Sequence, residues 1–437
     1  MPSTFKVSNF KCIEKARFDF GKLNLFIGPN NSGKTSALQA LAFVLQGKLL
    51  GSAFEGEFIS LRPLREFVFR KDINRSLEFS LTLSFNQEEL QRIKEWMAET
   101  PFKDFDFSSL TVEFAFPVGK NLSYTQATSI SAKLLDRAGK LILGVEGSPR
   151  KKDLLPEGLR KEDVGEISLS GFIPYSSKHS KEWGELHDLL RKEKLRNFFW
   201  LKTLRTIGSI PKEVKKELSN VGQHGEDTLD VLADIRDDED YVEVWDKISE
   251  WITRFGFKDE IIPRHEGEGK YSLLLRDADL NIRVLKDHLG FGIDQLLPVI
   301  VQCFYTRKGE PKEAIIFIEQ PETHLHPAMQ AEVADLFIDA VGWGKQLIVE
   351  THSEHLLLRL QRRIAEGKIS HEDVGIFYFE KTQEGTSVKR VELDEIGRFK
   401  EKKPFPGFFE VEFEDAIKQT EAIFQRFKKK DGEGSGP

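Results

Sequence analysis

Three short stretches of the chain carry side chains suited to handling a nucleoside triphosphate. The first is Gly28-Pro29-Asn30-Asn31-Ser32-Gly33-Lys34-Thr35. Successive backbone N–H groups in a tight glycine loop, set ahead of a helix, point inward and bind phosphate oxygens. Asn30, Asn31, Ser32 and Gly33 would line that cradle, Lys34 would reach the β- and γ-phosphates of ATP, and the Thr35 hydroxyl would ligate Mg²⁺. The second stretch, Ala314-Ile315-Ile316-Phe317-Ile318-Glu319, is a short apolar run ending in an acid. A buried parallel strand presents a carboxylate in that way at its C-terminal end, where ligands bind. Glu319 is therefore the expected Walker B acid, completing the Mg²⁺ shell with Thr35. The third stretch, Gln346 to Ser353, is another buried-strand pattern with a polar tip. His352 at that tip is expected to sense the γ-phosphate, while Thr351 or Ser353 caps the helix that follows.

The residues after Glu319 decide how water is handled. The stretch resembles that of ABC-type ATPases, in which the residue after the Walker B acid is usually a Glu that polarises the attacking water; here it is Gln320, and an amide accepts no proton at neutral pH. Phosphoryl transfer relies more on positioning than on a strong base, so Gln320 can still orient water. Glu322, two residues on, faces the same side in an extended segment. It either supplies the missing charge, alone or with Gln320, or only braces the loop. His324 and His326 could pair on a metal, but no third ligand cluster accompanies them. A loop crossing between two nucleotide-binding halves is the preferred reading. Finally, Gly290-Phe291-Gly292-Ile293-Asp294-Gln295 puts glycines just before a helical run. Free N–H groups there, with Gly290, Gly292 and Gln295, would close on a second subunit's γ-phosphate; the plain alternative is a glycine turn.

The elements that must position these groups are legible around them. Phe5–Val7, Ala16–Phe20 and Leu23–Ile27 read as strands, the last entering the glycine loop; Ala37, Leu38, Leu41, Ala42 and Leu45 then recur at helical spacing until Gly47. Leu77–Phe85 and Leu110–Phe116 alternate with period two, around a helical stretch from Gln87 to Ala98. Residues 182–256 read as helical and highly charged, with an acidic run from Glu226 to Asp240. Basic clusters stand at Arg150 to Lys152 and Arg191 to Arg196; each is a candidate DNA contact, although such runs are more often solvated helix faces. Strands return at 271. The expected plan is an α/β fold with a split nucleotide-binding domain, residues 1–85 and 271–427, a strand-rich then helical insertion at 86–270, and a disordered tail at 428–437. No heptads persist, which argues against a coiled-coil arm.

The totals exclude other classes. At 437 residues the chain can bury a substantial core, and its net charge of −7 leaves any DNA contact to a local basic face. Two cysteines, Cys12 and Cys303, make no zinc or disulfide framework and suit a reducing cytoplasm. Charged residues interrupt the start, so no signal peptide is expected, and no apolar run is long enough to span a membrane. The 35 phenylalanines have no functional reading at this level.

Taken together, Gly28–Thr35, Gly290–Gln295, Ile318-Glu319-Gln320-Pro321-Glu322-Thr323-His324-Leu325-His326-Pro327 and Thr351-His352-Ser353-Glu354-His355 resemble the motifs of ABC-type ATPases allied to SMC proteins. Within them the chain resembles the stand-alone prokaryotic ATPases of the overcoming-lysogenization-defect type and the ATPase subunit of Septu antiphage systems. Pro404-Phe405-Pro406-Gly407-Phe408-Phe409 resembles a closing motif of some of these proteins, and the insertion matches loosely around Leu204-Arg205-Thr206 and Val221 to Glu226. The resemblance implies a mixed sheet flanked by helices, Gly290–Gln295 as the signature segment, His324-Leu325-His326 as the D-loop and His352 as the switch. It also implies a head-to-tail homodimer around two ATP–Mg²⁺ and a role in DNA surveillance or antiphage defence. The signature lacks the Ser-Gly-Gly core of transporters. The chain ends soon after Phe409, so a nuclease effector is expected to be a partner in trans. Two rivals remain: a nucleotide-gated scaffold with little hydrolysis, and a DNA-repair clamp of the SMC type.

Overall fold

The computed structural model describes residues 1–46, 58–59, 64–117, 131–147, 151–170, 173–190, 197–207, 218–267, 270–277, 283–285 and 292–406. The expected tail, Gly290, and the end of the closing motif lie outside them, as do the side chains of both basic clusters.

A six-stranded sheet forms the centre. It is built from β3 (Leu23–Ile27), β11 (Phe198–Leu201), β15 (Ala314–Glu319), β16 (Lys345–Glu350), β17 (Val374–Thr382) and β18 (Gly385–Val391), in the order β11-β15-β16-β3-β17-β18. All neighbours are parallel except β17 and β18. Every residue of β3, β11, β15 and β16 is buried, which is why these strands read as apolar runs and not as alternating ones.

A seven-stranded antiparallel sheet packs on one face. It comprises β1 (Pro2–Phe10), β2 (Ile13–Asp19), β4 (Ser76–Ser84), β5 (Ser109–Pro117), β6 (Ser131–Leu135), β7 (Leu141–Gly147) and β8 (Lys151–Leu154). The period-two pattern of β4 buries Leu77, Phe79, Leu81 and Leu83 toward the core. Helix α1 (Lys34–Leu45) packs into the same core. The phenylalanines find a structural account here. Phe18 of the outer sheet meets Phe26 and Phe377 of the central sheet, both at 5.3 Å between centroids, and Phe26 meets Phe379 at 4.9 Å. Stacked and edge-on rings thus form the seam between the two sheets.

Helices cover the opposite face. These are α5 (Thr228–Arg236), α6 (Val242–Arg254), α7 (Gly292–Phe304), α8 (Pro327–Gly342) and α9 (Glu354–Ala365). Alternate residues of one strand serve the two cores: Phe317 joins the seam, and Ile316 and Ile318 join the helical side. Smaller elements complete the chain: α2 (Gln87–Met97), α3 (Lys161–Val164) and α4 (Ser180–Asp188), the hairpin of β9 (Ile167–Ser170) and β10 (Ile173–Ser176), and a three-stranded sheet of β12 (Phe257–Gly267), β13 (Lys270–Asp277) and β14 (Arg283–Leu285).

Two differences from the sequence reading matter. The 182–256 stretch holds a strand, β11, that enters the central sheet beside β15. Strands β5 to β8 also continue the sheet begun by β1, so residues of the 86–270 segment are woven into both sheets.

Candidate functional site

The C-terminal ends of β3, β16 and β15 lie side by side, with Glu319 in register with Glu350 and Glu350 in register with Phe26. That edge is where an open α/β sheet collects ligands. One strand, β16, therefore separates the glycine-loop strand from the strand that carries Glu319.

The loop itself has a backbone only glycine tolerates at two points. Gly28 has φ 151° and a Cβ there would sit 2.3 Å from the Phe379 carbonyl oxygen. Gly33 has φ 105° and a Cβ would sit 2.5 Å from Thr386 Oγ1. Thr386 Oγ1 in turn donates to the Ser32 carbonyl at 2.9 Å, pinning the loop to β18. Ser32 Oγ is buried and has no hydrogen-bond partner among the described residues. Asn30 and Asn31 are exposed at the loop's rim. Lys34 is buried, and its ammonium donates to the carbonyls of Gly28 at 2.9 Å and Pro29 at 2.8 Å. A glycine cradle, an orphaned hydroxyl and a buried ammonium at a helix start are the fit expected for a triphosphate with its Mg²⁺.

The acids arrange themselves in a way the sequence did not foretell. Thr35 Oγ1 donates to Glu350 Oε2 at 2.9 Å, and Lys34 Nζ lies 3.8 Å from Glu350 Oε1. Glu319, expected to share a metal with Thr35, is turned the other way. Its Oε1 accepts from Trp200 Nε1 at 2.9 Å and Lys202 Nζ at 3.4 Å, and its Oε2 accepts from the Thr203 hydroxyl at 3.0 Å and its N–H at 3.3 Å. Glu319, Glu322 and Glu350 are 7%, 8% and 6% exposed, so three carboxylates share one largely dry edge. Burial pushes both Glu322 and Glu350 above the ordinary carboxylate range; the His352 N–H and the Lys34 ammonium, respectively, oppose it.

The placement of Glu322 corrects the reading of an extended segment. Gln320 takes φ 43°, and the chain turns there, with Thr323 N–H bonded to the Gln320 carbonyl at 3.3 Å. The turn brings Glu322 to the segment just after β16, where its Oε1 accepts the His352 N–H at 2.6 Å. Gln320 remains half-buried, its N–H donating to the Glu350 carbonyl at 2.7 Å. His352 is half-buried; burial, with the nearby Lys34 charge, pulls its imidazole down to about 4. Ser353 caps α9 as expected, accepting the Leu356 N–H at 3.1 Å. His324 and His326 are exposed, His326 caps α8, and no metal-holding cluster occurs among the described residues.

The signature segment is only partly described, because Gly290 and Phe291 lie outside. Gly292 opens α7 beside the His324 carbonyl. Gln295 does not point outward to meet a nucleotide: its side chain is buried and donates to the Arg205 carbonyl at 2.9 Å. Arg205 is the residue that ties these parts together. Its guanidinium donates to the carbonyls of Gln295 at 2.8 Å, Lys202 at 2.6 Å, Glu319 at 2.9 Å and Gln320 at 3.2 Å. Burial lowers it to about 10, against the pull of Glu322 and Glu319, so it stays charged at neutral pH. Sequence reasoning missed Glu350, Trp200, Lys202, Thr203 and the brace role of Arg205. The only signal available was that β16, like β15, is an apolar run ending in an acid.

Comparison with known proteins bears on the same residues. The chain is 23% identical over 359 residues to the OLD nuclease of Thermus scotoductus, across 81% of this chain and 59% of that protein. It therefore spans well under two thirds of that relative's length. Among solved structures it is similar to an Smc head bound to the C-winged helix domain of ScpA, at 14% identity and a TM-score of 0.48, covering 90% of this chain and 98% of the other. It is also similar to the SMC head domain from Thermotoga maritima, at 11% identity and a TM-score of 0.43, covering 90% and 99%. The profile of the AAA ATPase domain matches residues 1–357, a stretch holding the glycine loop, Glu319 and His352. A match over that much of the chain means that it belongs to the AAA ATPase domain family, and it is a P-loop ATPase.

Proposed function

We propose that the chain is an ATP-gated switch: two copies close head to tail around two ATP–Mg²⁺, and hydrolysis reopens them. In this reading residues 1–85 and 271–427 form the nucleotide-binding unit, and 86–270 is an insertion that lends it β11 and the 200–205 loop. Gly28–Thr35 hold the triphosphate, with Asn30 and Asn31 at the rim, and Thr35 and an acid from the strand tips hold Mg²⁺. Bound Mg²⁺ neutralises charge on the phosphate oxygens. Gly292, which opens α7, would face the nucleotide of the other copy, as would Gly290, which lies outside the described residues. By analogy with its nuclease relative, the switch controls an effector, a nuclease, in DNA surveillance or antiphage defence.

The observation that carries the reading is the convergence of Lys34, Thr35, Glu350, Glu322 and His352 at one buried sheet edge. Glu322 is the group suited to assist water, because Gln320 cannot take a proton and Glu322 is a buried carboxylate fixed by the His352 N–H. Neutral His352 can then donate or accept a hydrogen bond without adding charge beside Lys34. The test is single-turnover hydrolysis of ATP by wild type, Lys34→Ala, Gln320→Ala and Glu322→Gln. Wild type is expected to turn over, Lys34→Ala to be inactive, and Glu322→Gln to lose roughly 10²- to 10⁴-fold in rate with ATP still bound. Binding without turnover in wild type would instead make the chain a nucleotide-gated scaffold.

A further inference from the structure

Glu350 lies within the third nucleotide-handling stretch without a role of its own there, yet its carboxylate meets both Thr35 and Lys34 of the phosphate loop. Register pairs it with Glu319 on adjacent parallel strands, but the two side chains diverge. Both oxygens of Glu319 are taken by Trp200, Lys202 and Thr203 on the β11 side. Glu350 goes the other way, accepting from the Thr35 hydroxyl at 2.9 Å and lying 3.8 Å from the Lys34 ammonium.

The chemistry of that position is restrictive. In a P-loop the hydroxyl after the lysine ligates the metal, so whatever bonds to it stands within reach of the metal shell. Mg²⁺ is held by one or two carboxylates together with substrate phosphates, and it suits oxygen ligands only. A buried carboxylate facing a triphosphate without a cation between them is strongly repulsive. With a divalent cation the same two groups become a bridge.

We infer that Glu350 is the acidic partner of Thr35 in the Mg²⁺ site and makes nucleotide binding depend on the metal. Glu319, bonded to Trp200, Lys202 and Thr203, stands one strand farther from the loop. The inference rests on the proposed ATP–Mg²⁺ site and adds an assignment to it.

The test is equilibrium binding of a fluorescent, non-hydrolysable ATP analogue to the full chain, titrated with Mg²⁺ and repeated in EDTA, so that hydrolysis plays no part. Glu350→Gln is expected to raise the Mg²⁺ concentration at half-saturation by about 10- to 100-fold. It is also expected to leave binding in EDTA equal or tighter, because a repelling charge is gone. Glu350→Asp, which keeps the charge, is expected to fall between the two and serves if the amide variant does not fold. An unchanged Mg²⁺ requirement in Glu350→Gln, with the shift appearing in Glu319→Gln, overturns the inference and returns the metal to Glu319. Equal loss of binding with Mg²⁺ and in EDTA also overturns it, since Glu350 would then only shape the loop. If wild type binds no nucleotide under any condition, the ATP-switch reading falls first and the inference with it.

Discussion

His352 shows how much of the site is set by surroundings that no motif encodes. Its imidazole is held down to about 4 from an ordinary 6.5 by burial, with the Lys34 ammonium adding to the effect. The folded ring binds its proton more weakly than the unfolded one. Its contribution to stability is therefore constant above about pH 6.5 and is lost progressively as pH falls toward 4. Histidine NMR of the folded chain is expected to show one ring titrating near 4, and Lys34→Met is expected to raise that midpoint. A midpoint near 6.5 in wild type would mean the ring is solvated and free of the Lys34 field. What was legible in the sequence at this scale was the contiguous glycine loop, with Gly28 and Gly33 where a Cβ would clash, and the apolar strands that end at Glu319 and just before His352. Glu350 was hidden because its role comes from being one strand nearer the loop than Glu319, a fact of strand order. Glu322 was singled out on an extended geometry, whereas the positive φ of Gln320 turns the chain there.

Among elements, the loop after β11 deserves the closest mutational study because it links strand tips to α7. Residues 202–206 pair with the 219–225 loop through Lys202 N–H to the Gln223 carbonyl and Thr206 N–H to the His224 carbonyl, each at 2.8 Å. A Cβ on Gly225, whose φ is 77°, would lie 2.5 Å from Pro298 of α7, so this turn sits tight against the helix. Arg205 completes the link by joining Gln295 on α7 to Glu319 and Gln320 at the end of β15. Arg205→Met is expected to strand these buried carbonyls and cost about 3 kcal/mol, read as a lower urea midpoint. An unchanged midpoint would show that water replaces the guanidinium and that the brace is not structural. This link was not visible in the sequence. Phe198-Phe199-Trp200-Leu201 is only four residues long and follows a charged stretch, so it lacks the length and flanking turns that mark a strand. Strands β3, β15 and β16 were legible because burial on both faces leaves largely apolar runs, and β4 and β5 because one face alternates.

On the scale of the whole molecule, the two sheets and the helical layer form a platform with the nucleotide loop at one edge. The described residues include no helix long and apolar enough to cross a membrane. Net charge of −7 means that any contact with DNA is local and salt-sensitive. ATP is expected to close two such platforms against each other, which is read from mass in solution by light scattering, with and without ATP–Mg²⁺, on wild type, Lys34→Ala and Glu322→Gln. With nucleotide, wild type is expected to form a dimer of about twice the chain's 50.1 kDa, Glu322→Gln to accumulate it, and Lys34→Ala never to form it. A mass that stays the same with and without ATP–Mg²⁺ in Glu322→Gln, under conditions where the nucleotide is bound, would contradict it.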